Sequence, residues 1–351
     1  ACSSKSYFRK GFCFYNRSNY KESFYNYTFS KKYYLKLNDS IEVGKKLLMM
    51  AYIQRNIGDY GAAKETAIEG LGYLNNKNRV YVSALYDVLS TIKKEEKEYV
   101  SSLEYKEKSI QLLRIKSDVL SGIDSIILAK YLNNKAVIYS KKREYTTALE
   151  LLTFVDAFPV IHLKKNLDTK ALVLDNLGVV KGKLNKKEAE GVLLEGFRIR
   201  DSIDNKKDLN ASYIHLCEYY INENKLDKAL SWAEGAYANA KEFKSLVAQK
   251  EALHYITELQ SIPQKKHINA YKKVTDSLTS LSNKVRNIYA EEKYEGHENK
   301  ILALEKKKEA TEQRFYKRMF LIVGFTLVLL LLLYKYYSDK IKKEKNKKEL
   351  L

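Results

Sequence analysis

Five times along this chain of 351 residues the start of a second helix is marked in one way, by a small residue three positions after a Tyr or Leu. The pairs are Tyr60/Ala63, Tyr99/Ser102, Tyr145/Ala148, a weaker form at Ala189, and Leu226/Ala229, so the small residues stand 39, 46, 41 and 40 positions apart. A period near 40 predicts one helical hairpin built repeatedly. A hairpin of this size cannot bury its apolar face alone, so copies must stack on one another. Such a chain reads as a stacked scaffold rather than an enzyme with a central pocket.

The clearest unit runs from Tyr131 to Val155. Leu132, Ala136 and Tyr139 share one helical stripe, a polar turn follows at Lys141 to Glu144, and Tyr145, Ala148, Leu149 and Leu152 form a second stripe. Ala136 and Ala148 are placed where two helix axes approach closely, and a larger side chain there would push them apart. Ala51, Gly58, Tyr60, Ala63 and Ala67 take the matching places in one further unit. Cys217, Tyr220, Leu226, Ala229, Ala233 and Ala236 do so in another, and a degenerate copy keeps Tyr20, Ser23 and Tyr27. With two prolines and 14 glycines the chain is too poor in turn residues for a sandwich or barrel, and no strand alternation is found. The 29 tyrosines suit inter-helix packing with the hydroxyl end in water.

Small residue, Tyr, turn, Tyr, small residue: this order resembles the tetratricopeptide repeat (TPR), although the spacing here exceeds the family's repeat of about 34. The usual opening Trp is missing, the single Trp232 lies elsewhere in its unit, and the closing Pro is absent apart from Pro159 and Pro263. The resemblance implies an all-α superhelix of about six hairpins over residues 7–262, with a protein or peptide partner held in its groove. Carboxylate-binding TPR domains use Lys and Asn on such faces. Lys130 and Asn134 lie one turn apart, with Asn133 beside them and Asn176 in the next unit, and these four are the candidate partner-binding residues. The following unit offers Ile214 and Glu218 where further cations would be wanted.

From Met319 to Tyr334 the chain carries no charge, and extension past Lys335 to Tyr337 gives 19 residues, a helix about 28 Å long. That suits a hydrocarbon core of about 30 Å, with Lys335 snorkelling and Phe315, Tyr316, Tyr334, Tyr336 and Tyr337 forming aromatic belts. Residues 319–337 are therefore expected to form one transmembrane helix. Residues 263–318 read as a helical stalk. Val274, Leu278, Leu281, Val285 and Ile288 make a heptad seam, expected to pair two copies, before Glu292, Glu295 and Asn299 interrupt it. Residues 338–351 form a basic tail suited to acidic lipids at about 1 kcal/mol per lysine. Lysine and arginine counts do not orient the span, with seven on each side in residues 300–318 and 335–351.

Residues 1–6 read as a linker. Ala1-Cys2-Ser3-Ser4 resembles the junction at which a bacterial lipoprotein signal is removed, which would make Cys2 a lipidation site; ordinary signal removal fits equally. Either route would place the repeats outside the cytoplasm and the tail inside. Cys217 sits on a packed stripe and is expected to be buried and inert. The five histidines, His162, His215, His254, His267 and His297, show no metal-ligand spacing and form no triad, and no phosphate loop or other cofactor motif is present. No catalytic residue is put forward. The net charge of +20 is spread with Glu interleaved, which argues for solvated helical faces and against nucleic acid.

The arrangement of repeats, charged helix, single span and Lys-rich tail is similar to membrane regulators of Bacteroidetes-type bacteria. Those place the TPR array outside the inner membrane and continue into a histidine kinase or a helix-turn-helix domain, for two-component signalling or transcription regulation. The reading is the input part of such a regulator. The alternative is a tail-anchored or lipid-anchored adaptor that gathers partners at a membrane without signalling output.

Overall fold

The computed structural model describes residues 2–74, 78–114, 122–260 and 264–349. Among these the chain is all helix, with no strand. The first twelve helices are α1 (Cys2–Asn16), α2 (Tyr20–Lys36), α3 (Ser40–Asn56), α4 (Tyr60–Leu74), α5 (Arg79–Glu95), α6 (Tyr99–Arg114), α7 (Gly122–Lys141), α8 (Tyr145–Asp156), α9 (Leu167–Lys183), α10 (Ala189–Ser202), α11 (Lys206–Asn222) and α12 (Leu226–Glu242). They pair in order as six antiparallel hairpins, followed by α13 (Leu246–Leu259) and the 85-residue α14 (Lys265–Glu349). This is a TPR-like superhelix.

The hairpin starts fall where the period places them. Tyr60, Tyr99, Tyr145, Ala189 and Leu226 are each the first residue of a second helix. Just before them, one residue per hairpin turns into the left-handed region: Ser18, Gly58, Lys97, Arg143, Asn185 and Asn224, with φ between 54° and 81°. In each turn this residue's N–H and the next one bond back to the closing carbonyls of the first helix. For example, Arg143 N donates to Ser140 O at 3.0 Å and Glu144 N to Tyr139 O at 2.9 Å. This reversed-end closure satisfies carbonyls that the helix would otherwise leave open.

The small residues sit where axes meet. Ala51, Ala63, Ala136, Ala148, Ala189, Ala229, Ala233 and Ser102 are all 0% exposed. Tyr60 packs against the cluster around Ala51 and Ala63, while Tyr139 and Tyr145 pack against Ala136 and Ala148. Leu226 differs from the tyrosines it replaces: it is 47% exposed at the first turn of α12. The longest interval, 46, spans residues 115–121, outside the described residues. The interval of 41 contains the short α8 and two 3-10 turns, Pro159–His162 and Lys164–Asn166.

The superhelix returns on itself within residues 1–288, one of two compact units of the chain. Lys207, early in α11, stands 5.1 Å from the Tyr15 ring of α1. The first turns of α14 belong to this unit: Val274 and Val285 are buried, and Arg286 Nε donates to Asp59 Oδ2 at 3.1 Å. Part of the heptad seam expected to meet a second copy is thus covered by its own chain. The second unit, 289–351, is helical through Glu349. Its residues 319–337 are exposed around the whole circumference, and this one helix is long and apolar enough to cross a membrane.

Candidate functional site

The first helices of the hairpins line the interior of the superhelix. Three hollows open there. One of about 470 Å³ lies among α7, α8, α9, α11 and α13, one of about 330 Å³ among α3, α5, α6 and α7, and one of about 580 Å³ where α13 and Tyr271 of α14 come round to α3, α4 and α5. Neighbouring hollows share lining residues: Val137 links the first two, and Arg55 and Thr91 link the second and third.

The predicted partner-binding asparagines meet at the wall between hairpins. Asn176 Nδ2 donates to Asn133 Oδ1 at 3.0 Å and to Leu172 O at 3.0 Å, and Asn133 Nδ2 reaches Asn134 Oδ1 at 3.4 Å. Asn176 lines the hollow of about 470 Å³ and Asn134 the one of about 330 Å³. Asn133 is wholly buried and so orients the other two instead of touching a ligand. Lys130, one turn before Asn134 on α7, is half-buried and lines none of these hollows. The Cys2 side chain, proposed above for lipidation, and Pro263 lie outside the described residues.

In and behind the walls the structure holds buried charges that the period did not reveal, Asp87 and Lys106 among the residues lining the hollow of about 330 Å³. Ten positions before the left-handed residue, three successive hairpins carry Asp87, Asn133 and Asp175 (97 − 10, 143 − 10, 185 − 10). Asp87 is paired with the buried Lys106, whose ammonium also lies 5.2 Å from the Tyr131 ring. Burial pulls the Lys106 ammonium below the ordinary lysine range, with Asp87 acting against that. Asp175 on α9 is paired with Arg200 on α10 and accepts from Ser212 Oγ on α11 at 2.8 Å, with Arg200 Nη1 donating to Asp208 O at 2.6 Å. Burial lifts Asp175 above the usual carboxylate range while Arg200 draws it back.

The hollow of about 470 Å³ is divided by charge. Lys141, Arg143 and Lys183 line the α7 and α9 side of the hollow of about 470 Å³, while Glu218 and Glu258 line the α11 and α13 side. Lys183 Nζ donates to Asn222 Oδ1 at 3.2 Å, and Tyr255 Oη donates to Glu218 Oε1 at 2.6 Å, so both walls are held in place. His215 stands in the wall of the same hollow, its Nδ1 3.9 Å from Asp175. Burial keeps its imidazole below the ordinary range. Cys217 is fully buried and its thiol is pushed up to about 12 by burial. Such a thiol is unreactive, as its place on a packed stripe suggests. Among the described residues no group of three His, Cys, Asp or Glu is placed to hold a metal ion.

No protein-family profile matches the chain, and no curated protein sequence matches it. Solved structures do. A Rap protein complexed with competence and sporulation factor is similar over 81% of this chain and 76% of its own, at 13% identity and a TM-score of 0.60. The apo form of RapI covers 81% of this chain and 99% of its own, at 16% identity and 0.53. Aspartyl phosphate phosphatase F from Bacillus subtilis covers 76% and 69%, at 14% identity and 0.50. At these identities the likeness is one of fold.

Proposed function

We propose that residues 1–288 are a binding module that takes an extended segment of another protein into the interior of the superhelix. The observation that carries this is the run of linked hollows along the first helices of successive hairpins, lined by polar side chains together with Val137, Val179 and Val180. An extended segment offers side chains and free backbone amides in turn, and Asn134 and Asn176, held by the buried Asn133, are placed to bond such amides. The likeness to a Rap protein that holds competence and sporulation factor fits this use of the fold. The apolar helix at 319–337 then anchors the module in a membrane. In the fuller reading the repeats are the extracytoplasmic input of a signalling regulator in a bacterial inner membrane, α14 leading from the module into the bilayer.

Selection of a random peptide library on the full chain in detergent tests the module. Recovered peptides are expected to bind the native chain and to lose about tenfold or more in affinity with Val179→Trp, which fills the hollow of about 470 Å³. No recovered sequence, or binding indifferent to Val179→Trp, removes the reading. Protease added to sealed vesicles tests the topology. Digestion of the repeats only from the cytoplasmic side would leave an adaptor that faces the cytosol.

A further inference from the structure

Four successive hairpins carry a cation at the end of the first helix, and all four point into the shared interior. Arg55, Lys94, Lys141 and Lys183 lie in the last turns of α3, α5, α7 and α9. They precede the left-handed turn residue by three, three, two and two positions (58 − 55, 97 − 94, 143 − 141, 185 − 183). Arg55 and Lys94 line the hollow of about 330 Å³, and Lys141 and Lys183 the one of about 470 Å³. The ladder stops at α11, which has no basic residue in its last turn and presents Asn222 there.

A cation in a helix's last turn always complements the helix dipole, so the ladder has an ordinary explanation to overcome. The dipole, however, is served by a cation on any side of the turn. Lys93 shows this: it lines none of the hollows and bonds Glu96 at 2.8 Å and Glu98 at 2.7 Å. Its neighbour Lys94 lines the interior hollow while also pairing with Glu95 Oε1 at 3.0 Å. The choice of face in four hairpins is therefore unexplained by helix ends alone.

We infer that the ladder selects an acidic polypeptide segment, with carboxylate side chains set against Arg55, Lys94, Lys141 and Lys183. This rests on the binding-module reading above and supplies the ligand's chemistry. Carboxylates on the opposite wall, Glu218, Glu251 and Glu258, limit the anionic stretch to the α3–α9 side, where the two carboxylates present are already paired, Asp87 with Lys106 and Glu95 with Lys94. Their presence disfavours a nucleic acid, whose backbone carries a charge at every step. A polypeptide can place its acidic side chains discretely.

The test uses the full chain in detergent with three labelled probes: a peptide alternating Glu and Ser, its Lys and Ser counterpart, and an oligothymidylate. The expected result is binding of the Glu peptide alone, weakened by added salt and reduced at least about tenfold by Lys141→Glu with Lys183→Glu. If that pair fails to fold, Lys141→Gln with Lys183→Gln gives the same comparison with a smaller loss. Equal binding of oligothymidylate or of the Lys peptide, no binding of the Glu peptide, or affinity unmoved by the substitutions would each overturn the inference. Library peptides that bind but show no excess of Asp and Glu would overturn it too, while leaving the module itself standing.

Discussion

Arg200 is 2% exposed, yet it carries a full charge between three helices, held by Asp175, Ser212 and the Asp208 carbonyl. A buried pair of this kind contributes little net stability, because desolving two ions offsets most of their attraction. Removing one partner is a different matter, since the other charge stays buried without a counterion. We predict that Arg200→Met lowers unfolding stability by about 3 kcal/mol or more, and that Asp175→Leu in the same chain restores most of it. Urea unfolding of the two variants decides. A double variant as unstable as the single one would mean the site is held by packing rather than by charge. Nothing in the sequence marks Arg200, which reads as one more cation among 63 Lys and Arg. Its burial follows from what α9 and α11 place around it.

At the scale of the element, the hairpin turn repeats more faithfully than the residues in it. Six first helices end with a residue at positive φ, but only one of the six is glycine, Gly58 at 81°. The others are Ser, Lys, Arg and two Asn, so a search for glycine finds one turn in six, while the Tyr or small residue that follows finds the helix starts. A side chain in this region costs about 1 kcal/mol relative to glycine. Arg143→Gly should therefore raise stability by about 0.5–1 kcal/mol, and Gly58→Ala should lower it by a similar amount. Thermal melts of both give opposite signs if the closure is as described. A loss with Arg143→Gly would show that the Arg143 side chain, which also lines the inner hollow, contributes more than its backbone strain removes.

For the whole molecule, the question is what closes the superhelix. Its late helices come back to its early ones: Arg286 reaches Asp59, Lys207 reaches Tyr15, and Tyr271 shares a hollow with Arg55 and Tyr60. Val285 is 1% exposed within this unit. Placing a carboxylate there should free the segment 265–288 from the repeats at a cost of roughly 3 kcal/mol. Val285→Asp is expected to speed proteolytic cleavage within 265–288 while α3–α12 stay protected. Uniform loss of protection would mean that the segment and the stack fold as one cooperative body. The freed seam would also become available to a second copy, which sedimentation of the variant would reveal.

The all-helical class, the hairpin starts at Tyr60, Tyr99, Tyr145, Ala189 and Leu226, and the buried small residues were legible because helical packing writes a local period into the chain. The apolar stretch at 319–337 was legible for the same reason: length and hydropathy are properties of a segment alone. The meeting of Asn133 with Asn176 across 43 positions, the enclosure of Arg200, and the common inward aim of Arg55, Lys94, Lys141 and Lys183 were not. Those depend on how far each hairpin rotates on the last. That rotation is set by the packing of many side chains across neighbouring helices and leaves no period of its own in the sequence.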